Sequence, residues 1–309
     1  MRFPTLNELP VSREVQDVFA GLNQNLRIGN NEFSKMKNMT GDEYPLLSTR
    51  APRGYDGVIS NPGGLITKDA IAIVSGSKII YNGYDIEMGL TAGEKQLVSM
   101  GAYLLVWPDK KWLNTQQFSE NGKMENTFNA SGSTTVTLCK QDGSAYGDYK
   151  IAETAPEDPK DNDLWMDTSG ASPSLKQYSE TSASWLSIAT VYLKLKSKNI
   201  HSGFNQYDGV TISGFTGDLA SLNGSHVLQK VDEDDGSVVI IGILEKKTYT
   251  ETAKIEMVRS VPDMDFVTEC DNRIWGCKYG VVNGKPVNEI YACKLGDFKN
   301  WNQFLGLST

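Results

Sequence analysis

The chain of 309 residues carries 30 Lys and Arg against 38 Asp and Glu, which gives a formal net charge of −8. This acidity, without a run of basic residues, excludes a protein that coats nucleic acid, because binding a phosphate backbone requires a concentrated basic face. The 29 Gly and 11 Pro, together with 13 Tyr, 10 Phe and 6 Trp, are typical of short strands joined by tight turns.

Neither a secretion signal nor a membrane span is predicted. The N-terminus, MRFPTLNELPVSREV, lacks the apolar core of a signal peptide, and no stretch reaches the roughly 18 apolar residues that cross a bilayer. We therefore expect a protein that is made and kept in a cytoplasm, or one that leaves it by lysis or assembly. The four cysteines fit that compartment as reduced, buried thiols, and their spacing matches no zinc motif; they are Cys139, Cys270, Cys277 and Cys293. We expect no metal and no cofactor.

Residues 1–56 show little periodic hydrophobicity. The stretch VSREVQDVFAG predicts two helical turns with Ser12 as the N-cap. The Asn- and Gly-rich remainder, which ends in two X-Pro steps, predicts an extended N-terminal arm.

Residues 57–114 change to a pattern of short strands. The stretch AIAIVSGSKIIYNGY, Ala70 to Tyr84, predicts a strand, a Ser-Gly-Ser turn and a strand that ends in Asn-Gly. The stretch KQLVSMGAYLLVWPDKKWLNT, Lys95 to Thr115, predicts two strands around a glycine, a Pro-Asp turn and a further short strand. We interpret this region as scaffold strands of propeller-like blades.

Residues 262–309 repeat the same pattern most clearly. Asp265 to Phe304 predicts a strand, an Asp-Asn turn, a strand at Arg273–Tyr279, an Asn-Gly turn and a strand at Glu289–Leu295. We expect four aromatic side chains of this segment to fill the space between sheets; they are Trp275, Tyr279, Tyr291 and Trp301. Repeated antiparallel meanders of this kind are typical of propeller blades.

Residues 115–261 interrupt the repeat, and we interpret them as one or two inserted small β modules. The segments LWMD, SLKQYS, SWLSI and VYLKLKS alternate as strands do, and HVLQKVDEDDGSVVIIGIL predicts a hairpin across DEDDG. The fold predicted for the whole chain is therefore all-β: a partial, propeller-like antiparallel scaffold with inserted modules. The scaffold residues suffice for two to three blades, whereas a closed propeller takes four or more. Three explanations stay open: a truncated chain, a ring completed by another chain, or a scaffold that is not a propeller.

Three groups of residues are candidate sites. Trp165, Tyr178 and Trp185 could form an aromatic platform for sugars, although rings on a small module more often form its core. The acidic run Asp232 to Gly236 suggests calcium, but its glycine is fifth rather than sixth and Ile243 stands where an EF-hand has its bidentate Glu, which favours a solvated turn. Asp263 and Asp265 could be a glycosidase pair, but neighbours on one strand seldom supply both carboxylates. We expect no catalytic residues and no enzyme.

Several phrases together resemble a known group of proteins: NMTGDEYPLLSTRAPRG, EKQLVSMGAYLLVWPDKKWLNT, YDGVTISG and VPDMDFVTECDNRIWGCKYG, with DNDLWMDTS and LKQYSETSASWLSIATVYLKL between them. The chain resembles, over nearly its whole length, uncharacterised structural proteins encoded among the tail and virion genes of phages and prophages of gut Firmicutes. The resemblance implies a β-propeller scaffold with an inserted β module, and a chain whose relatives continue with further repeats after WNQFLGLST. It carries over no functional residues.

The function predicted from these observations is that of a non-enzymatic, tail-associated structural or adaptor protein of a phage virion. Its expected partners are other tail proteins or further copies of itself. The alternative is a carbohydrate-binding receptor or adhesin module that contacts a host glycan, and a tail glycan hydrolase is the third hypothesis.

Overall fold

The computed structural model describes residues 13, 15–54 and 57–301 of a chain that divides into two compact units, residues 1–58 and 59–309. Nearly every regular element is a β-strand, and the single helical segment within the described residues is a short 3-10 helix, Gly217–Leu222. The predicted all-β, mainly antiparallel fold is therefore confirmed. No helix in the described part of the chain is long and apolar enough to span a bilayer.

The described residues of the N-terminal unit form four strands of two residues each. They are β1 (Gly21–Leu22), β2 (Glu32–Phe33), β3 (Met39–Thr40) and β4 (Ser48–Thr49). β1 pairs in parallel with β2, and β3 pairs antiparallel with β4. Ser12, the predicted N-cap, lies outside the described residues, and residues 15–20 are not helical, so the predicted helical turns are wrong there. So short a helix needs an apolar face packed on a neighbour, and the sequence supplies no such periodic face.

Three antiparallel meanders, which we name sheets A, B and C, form the repeated part of the second unit. Sheet A consists of β5 (Pro62–Lys68), β6 (Ala70–Ser75), β7 (Lys78–Tyr81) and β8 (Tyr84–Glu87). Sheet B consists of β9 (Gln96–Met100), β10 (Tyr103–Trp107), β11 (Lys111–Asn114) and β12 (Asn121–Lys123). Sheet C consists of β26 (Phe266–Cys270), β27 (Arg273–Val282) and β28 (Lys285–Ala292). The turn between β7 and β8 uses Asn82 (φ 49°) and Gly83 (φ 81°), residue types that tolerate left-handed backbone. The strand, turn and strand predicted over AIAIVSGSKIIYNGY are confirmed.

Residues 126–259 build three further sheets, which we name D, E and F. Sheet D has the strand order β13 (Asn126–Asn129), β25 (Glu256–Arg259), β20 (Gly209–Ser213) and β21 (Gly224–Val227). Sheet E has the order β22 (Lys230–Asp232), β23 (Ser237–Ile241), β19 (Tyr192–Lys196), β14 (Thr134–Cys139) and β24 (Thr248–Glu251). Sheet F has the order β15 (Tyr149–Ala152), β16 (Leu164–Asp167), β17 (Ser174–Ser179) and β18 (Ser184–Ser187). The two ends of this region close on each other, because β13 pairs with β25. The predicted hairpin across DEDDG is confirmed by the pairing of β22 with β23.

Sheet C extends further along its Asn-Gly hairpin than the sequence predicted. β27 continues to Val282 and β28 already begins at Lys285. Asn283 (φ 50°) and Gly284 (φ 77°) form a two-residue turn, which keeps the flanking residues paired up to the turn itself.

Sheet B lies between sheets A and C. The side chains of β10 alternate between the two neighbours: Leu104 and Val106 pack on sheet A, whereas Leu105 and Trp107 pack on sheet C. The A–B core contains Ala72, Val74, Ile79, Tyr81, Ile86, Met88, Leu90, Leu104, Val106 and Leu113. The B–C core contains Val98, Met100, Leu105, Trp107, Met124, Val261, Met264, Ile274, Cys293, Phe298 and Trp301. Burial on both faces explains why YLLVW is apolar throughout.

Two of the four aromatic side chains expected between sheets do not lie there. Trp301 is buried and Tyr291 is half-buried against the B–C core, as predicted. Trp275 is 40% exposed and Tyr279 is 57% exposed. Ile274 points into the core, so strand alternation directs Trp275 and Tyr279 to the opposite face of sheet C.

The first strands of the three meanders lie next to one another. The backbone N–H of Lys95 donates to the carbonyl of Gly63 at 2.7 Å, and a Cβ at Gly64 would lie 2.7 Å from the carbonyl oxygen of Lys95. Only glycine allows two backbone segments of the chain to approach so closely. Sheets that stack face to face and meet along their first strands are arranged as propeller blades are, so the structure is consistent with a partial propeller. One face of sheet A and one face of sheet C stay open.

The inserted region has a separate core, formed mainly by sheets D and E. Arg259 on β25 is 3% exposed and forms an ion pair with Asp208, which is 1% exposed. The same guanidinium donates hydrogen bonds to the carbonyls of Gly203 (3.0 Å) and Met124 (3.2 Å). A buried charge with these partners holds β25 against the loops on both sides of it.

Candidate functional site

The structure brings the three predicted aromatic residues together on sheet F. Trp165 lies on β16, Tyr178 on β17 and Trp185 on β18, where Tyr178 and Trp185 are direct cross-strand partners. The ring centroids of Trp165 and Trp185 are 5.4 Å apart at an interplanar angle of 70°, and those of Tyr178 and Trp185 are 5.4 Å apart at 63°. Edge-to-face packing of this kind favours a small core rather than one flat platform.

Trp165 is not accessible for stacking on a ligand. Its side chain is 6% exposed, and its Nε1 donates a hydrogen bond of 2.9 Å to the carbonyl of Ala152. The ammonium of Lys176 lies 4.8 Å from the ring centroid and covers one face of the indole. Tyr178 and Trp185 are half-buried and are the two rings of this cluster that reach solvent.

A cleft of about 270 Å³ opens beside Trp185. Its walls include the ring of Tyr149, two prolines and several charged side chains; they are Asp148, Tyr149, Lys150, Pro156, Glu157, Asp158, Pro159, Asp163, Leu164 and Trp185. Burial raises the pKa of the Tyr149 phenol to about 12, so this hydroxyl stays protonated, but its oxygen is buried and does not reach the surface of the cleft. An indole ring beside carboxylates can stack on a sugar ring and accept hydrogen bonds from its hydroxyls.

Asp167 at the end of β16 holds this cluster in place. Its carboxylate lies 2.7 Å from the ammonium of Lys176 and accepts hydrogen bonds from the backbone N–H (2.9 Å) and the hydroxyl (2.7 Å) of Ser169. The hydrogen bond from Lys176, followed by those from Ser169, lowers the pKa of Asp167 to about 2. Asp167 therefore holds the ammonium of Lys176 in position over the Trp165 ring.

The acidic hairpin is occupied by internal ion pairs. Asp235 lies 3.1 Å from Lys194 and 2.5 Å from Lys196, and Asp232 lies 2.7 Å from Lys230. The hydrogen bonds from Lys196 and Lys194 lower the pKa of Asp235. Within the described residues no three His, Cys, Asp or Glu side chains are placed to share a metal ion.

The two candidate glycosidase carboxylates also have internal partners. Asp263 lies 2.7 Å from the ammonium of Lys110, and Asp265 lies 2.6 Å from that of Lys278. Asp265 also accepts a hydrogen bond from the backbone N–H of Tyr279 at 3.1 Å. The bond from Lys278 lowers the pKa of Asp265, whereas a general acid in glycoside hydrolysis needs a raised pKa.

Two grooves border sheet D. The first, about 560 Å³, is lined partly by Thr211, Glu289 and Tyr291, and the second, about 780 Å³, partly by His226 and Lys294. The Tyr291 hydroxyl donates a hydrogen bond to Glu289, and this bond raises the pKa of Tyr291 to about 12. Burial lowers the pKa of His226. These side chains offer hydroxyls, an amine and a carboxylate for hydrogen bonding, without an activated nucleophile beside a base.

The open face of sheet C is a site that sequence reasoning missed. Phe266, Cys277 and Ile290 form one row across the three strands, and Trp275, Tyr279 and Val281 lie on the same face. Exposed fractions are 58% for Phe266, 57% for Tyr279, 73% for Val281 and 73% for Ile290. The rings of Phe266 and Tyr279 stack with centroids 6.0 Å apart. The alternation of apolar residues along β27, read as strand period two, was the available signal.

Sheet A has a matching open face. Leu65, Ile73 and Ile80 form a row across β5, β6 and β7, and Ile71 lies beside them on β6. Leu65 is 67% exposed and Ile71 is 55% exposed, and Ile73 and Ile80 are half-buried. Contiguous apolar faces of this kind mark places where another surface docks.

The cysteines are only partly as predicted. Cys139 and Cys293 are buried free thiols, Cys277 is half-buried and Cys270 is exposed, so the expectation of four buried thiols is wrong for Cys270. Cys270 is exposed because it ends β26 at the Asp-Asn turn, where no described sheet packs on it. Cys139 is buried, and this burial raises the pKa of its thiol to about 11.

Comparison of the chain with protein-family models, with curated proteins and with solved structures finds no match.

Proposed function

We propose that the protein is a non-enzymatic structural or adaptor component of a phage virion, associated with the tail, and that it works through protein–protein contacts. The observation that carries this proposal is the open apolar face of sheet C, with Phe266, Trp275, Tyr279, Val281 and Ile290 exposed on one side of a regular sheet. The phrases that resemble phage tail proteins supply the virion context.

An apolar face of this size is unfavourable in water. Each of these side chains would contribute about 1.5–3 kcal/mol on transfer from water into an interface. A soluble domain seldom exposes so many large apolar residues on one rigid surface unless a partner covers them. The partners expected from this argument are other tail proteins or copies of the same chain.

The direct test is to locate the protein in purified particles. Quantitative mass spectrometry of virions from a host that carries the gene should find it in multiples of three or six copies per particle. A variant with Tyr279→Asp and Ile290→Asp should fail to be incorporated, whereas Leu186→Asp, at an exposed position on sheet F, should be incorporated normally. Absence of the unaltered protein from particles would refute the proposal.

A second candidate function is glycan binding at the cleft beside Trp185. The observation that favours it is the combination of a half-buried indole with carboxylates around a cleft of about 270 Å³. A glycan array with the intact chain should show binding that Trp185→Ala removes and that Leu186→Ala, its neighbour on β18, preserves. No binding at high micromolar protein would remove this candidate.

A further inference from the structure

The open faces of sheets A and C correspond to faces that are buried inside the same chain. Sheet B presents Leu97, Leu104, Val106 and Leu113 to the sheet before it, and sheet A carries Leu65, Ile71, Ile73 and Ile80 at the corresponding strands. Sheet B presents Val98, Met100, Leu105, Trp107 and Trp112 to the sheet after it, and sheet C carries Phe266, Trp275, Cys277 and Ile290 on that side. Within the described residues, no sheet packs on the open face of sheet A or on that of sheet C.

We propose that a second copy of this chain supplies both neighbours: the open face of sheet C in each copy packs on the open face of sheet A in the other, so that six sheets surround a common axis. This inference rests on the proposed function and names one partner for the same surface. The contact is head-to-tail, and a head-to-tail contact either closes into a ring or continues as a filament. Three sheets from each of two copies give six, within the four to eight sheets of closed propellers.

The continuity of the interface favours a second copy over an unrelated partner. Each sheet has one face toward the preceding sheet in the order A, B, C and one face toward the following sheet. In the A–B and B–C contacts, the following-side face of one sheet packs on the preceding-side face of the next. A contact between sheet C of one copy and sheet A of the other has the same arrangement, with apolar residues on both faces. A contact between the C faces of two copies would not have this arrangement.

The contact area favours a closed pair. Because sheet C has three strands, the shared face of three strands and five residues measures about 14 by 17 Å, or roughly 250 Å², from the spacing of strands and residues. Two such contacts, each counted on both partners, bury about 1,000 Å², which is about the minimum area of a specific interface. A single contact would bury only about half of that area, so we expect a closed dimer rather than an open chain of copies.

Charge-swap variants of the intact 309-residue chain test the proposal. Trp275→Lys changes the second strand of sheet C, and Ile71→Glu changes the second strand of sheet A. Because a homodimer would carry the substitution in both contacts, each variant alone should sediment as a monomer at micromolar concentration, where the unaltered chain is a dimer. Mixed in equal amounts, the two should form a heterodimer with one unaltered contact and one Lys–Glu contact.

Three controls make every outcome decisive. Leu186→Glu on sheet F should stay dimeric, and circular dichroism should show that all variants are folded. Alkylation of Cys277, which lies in the middle of the sheet C face, should slow at least tenfold in the dimer relative to the Trp275→Lys monomer. A monomeric unaltered chain, a filament, a dimer that survives either variant, or variants that do not pair on mixing would overturn the proposal. A chain that is monomeric yet present in virions would refute this dimer and leave the proposed function standing, whereas a dimer absent from virions would do the reverse.

Discussion

The side-chain carbonyl of Gln96, at the start of β9, accepts a hydrogen bond of 3.0 Å from the backbone N–H of Val267 in β26. The side-chain amide of Gln96 donates to the carbonyl of Asp265, the residue just before β26. One glutamine thus joins two sheets that are separated by about 170 residues of sequence, as a neighbouring strand would.

Gln96→Ala should therefore weaken the association of sheets B and C. The substitution leaves a backbone N–H and a carbonyl without their partner, which costs about 1–3 kcal/mol. Urea unfolding should show this loss, while Gln117→Ala, at an exposed position in the same sheet's last loop, should change stability by less than about 0.5 kcal/mol. Equal effects of the two substitutions would contradict the bridging role.

The buried pair of Lys95 and Asp109 gives a second prediction. The ammonium and carboxylate are 2.6 Å apart, with side chains 1% and 2% exposed. Lys95→Met should cost about 3–5 kcal/mol, because it leaves a buried carboxylate unpaired. Lys95→Met combined with Asp109→Leu should recover most of that loss in thermal or chemical unfolding; a double variant as unstable as the single one would show that packing rather than charge is responsible.

The pH dependence of Lys95→Met follows from the same pair. Burial alone would raise the pKa of Asp109, but Lys95 and the hydroxyl and N–H of Thr91 more than offset it and lower the pKa. Without Lys95 the folded pKa should rise above the unfolded value. A raised pKa contributes stability at low pH that is lost as pH rises, so the deficit of the variant should shrink as pH falls from 7 toward 4.

Gly276 in β27 should not tolerate a side chain. A Cβ there would lie 2.1 Å from the sulfur of Met264 and 2.9 Å from the carbonyl oxygen of Phe266. Gly276→Ala should destabilise the protein by about 1–3 kcal/mol through overpacking. Gly132→Ala is a suitable control, because a Cβ at Gly132 meets no atom within 4 Å; an equal melting temperature for the two variants would contradict the close approach.

Asp167 should make stability depend on pH below 4. Its pKa is lowered from 3.8 to about 2 by Lys176 and Ser169, so the stabilisation it provides is present above about pH 4 and is lost as pH falls through about 2. The difference in unfolding free energy between the unaltered chain and Asp167→Asn should be constant from pH 5 to 7 and should narrow below pH 4. A constant difference down to pH 2 for Asp167→Asn would refute the assignment.

The four thiols should react at different rates. Cys270 is exposed and Cys277 half-buried, whereas Cys139 and Cys293 are buried with raised pKa values. A thiol reagent should modify Cys270 first and Cys277 next, and should reach the other two only after unfolding. Peptide mapping after partial modification identifies the order, and early labelling of Cys139 would contradict the burial of that thiol.

The amino-acid sequence by itself determined the local elements of this protein. Asn-Gly and Asp-Asn turns, strand-length apolar runs and the LWMD, SLKQYS and SWLS segments predicted strands close to where they lie, because turn chemistry and strand alternation act over a few residues. Sequence also placed Trp165, Tyr178 and Trp185 in one module, since they fall on three consecutive strands.

Only the tertiary structure decided which sheets these strands join and which faces are covered. VYLKLKS follows SWLS after only three residues, yet β19 belongs to sheet E and not to sheet F, and β13 pairs with β25 across 126 intervening residues. The alternation of β27 shows that Ile274 and Trp275 point to opposite sides, but not which side meets another sheet. Strand pairing and face burial depend on contacts far apart in sequence, and a local pattern is the same whether its apolar face is buried, as in sheet B, or open, as in sheet C.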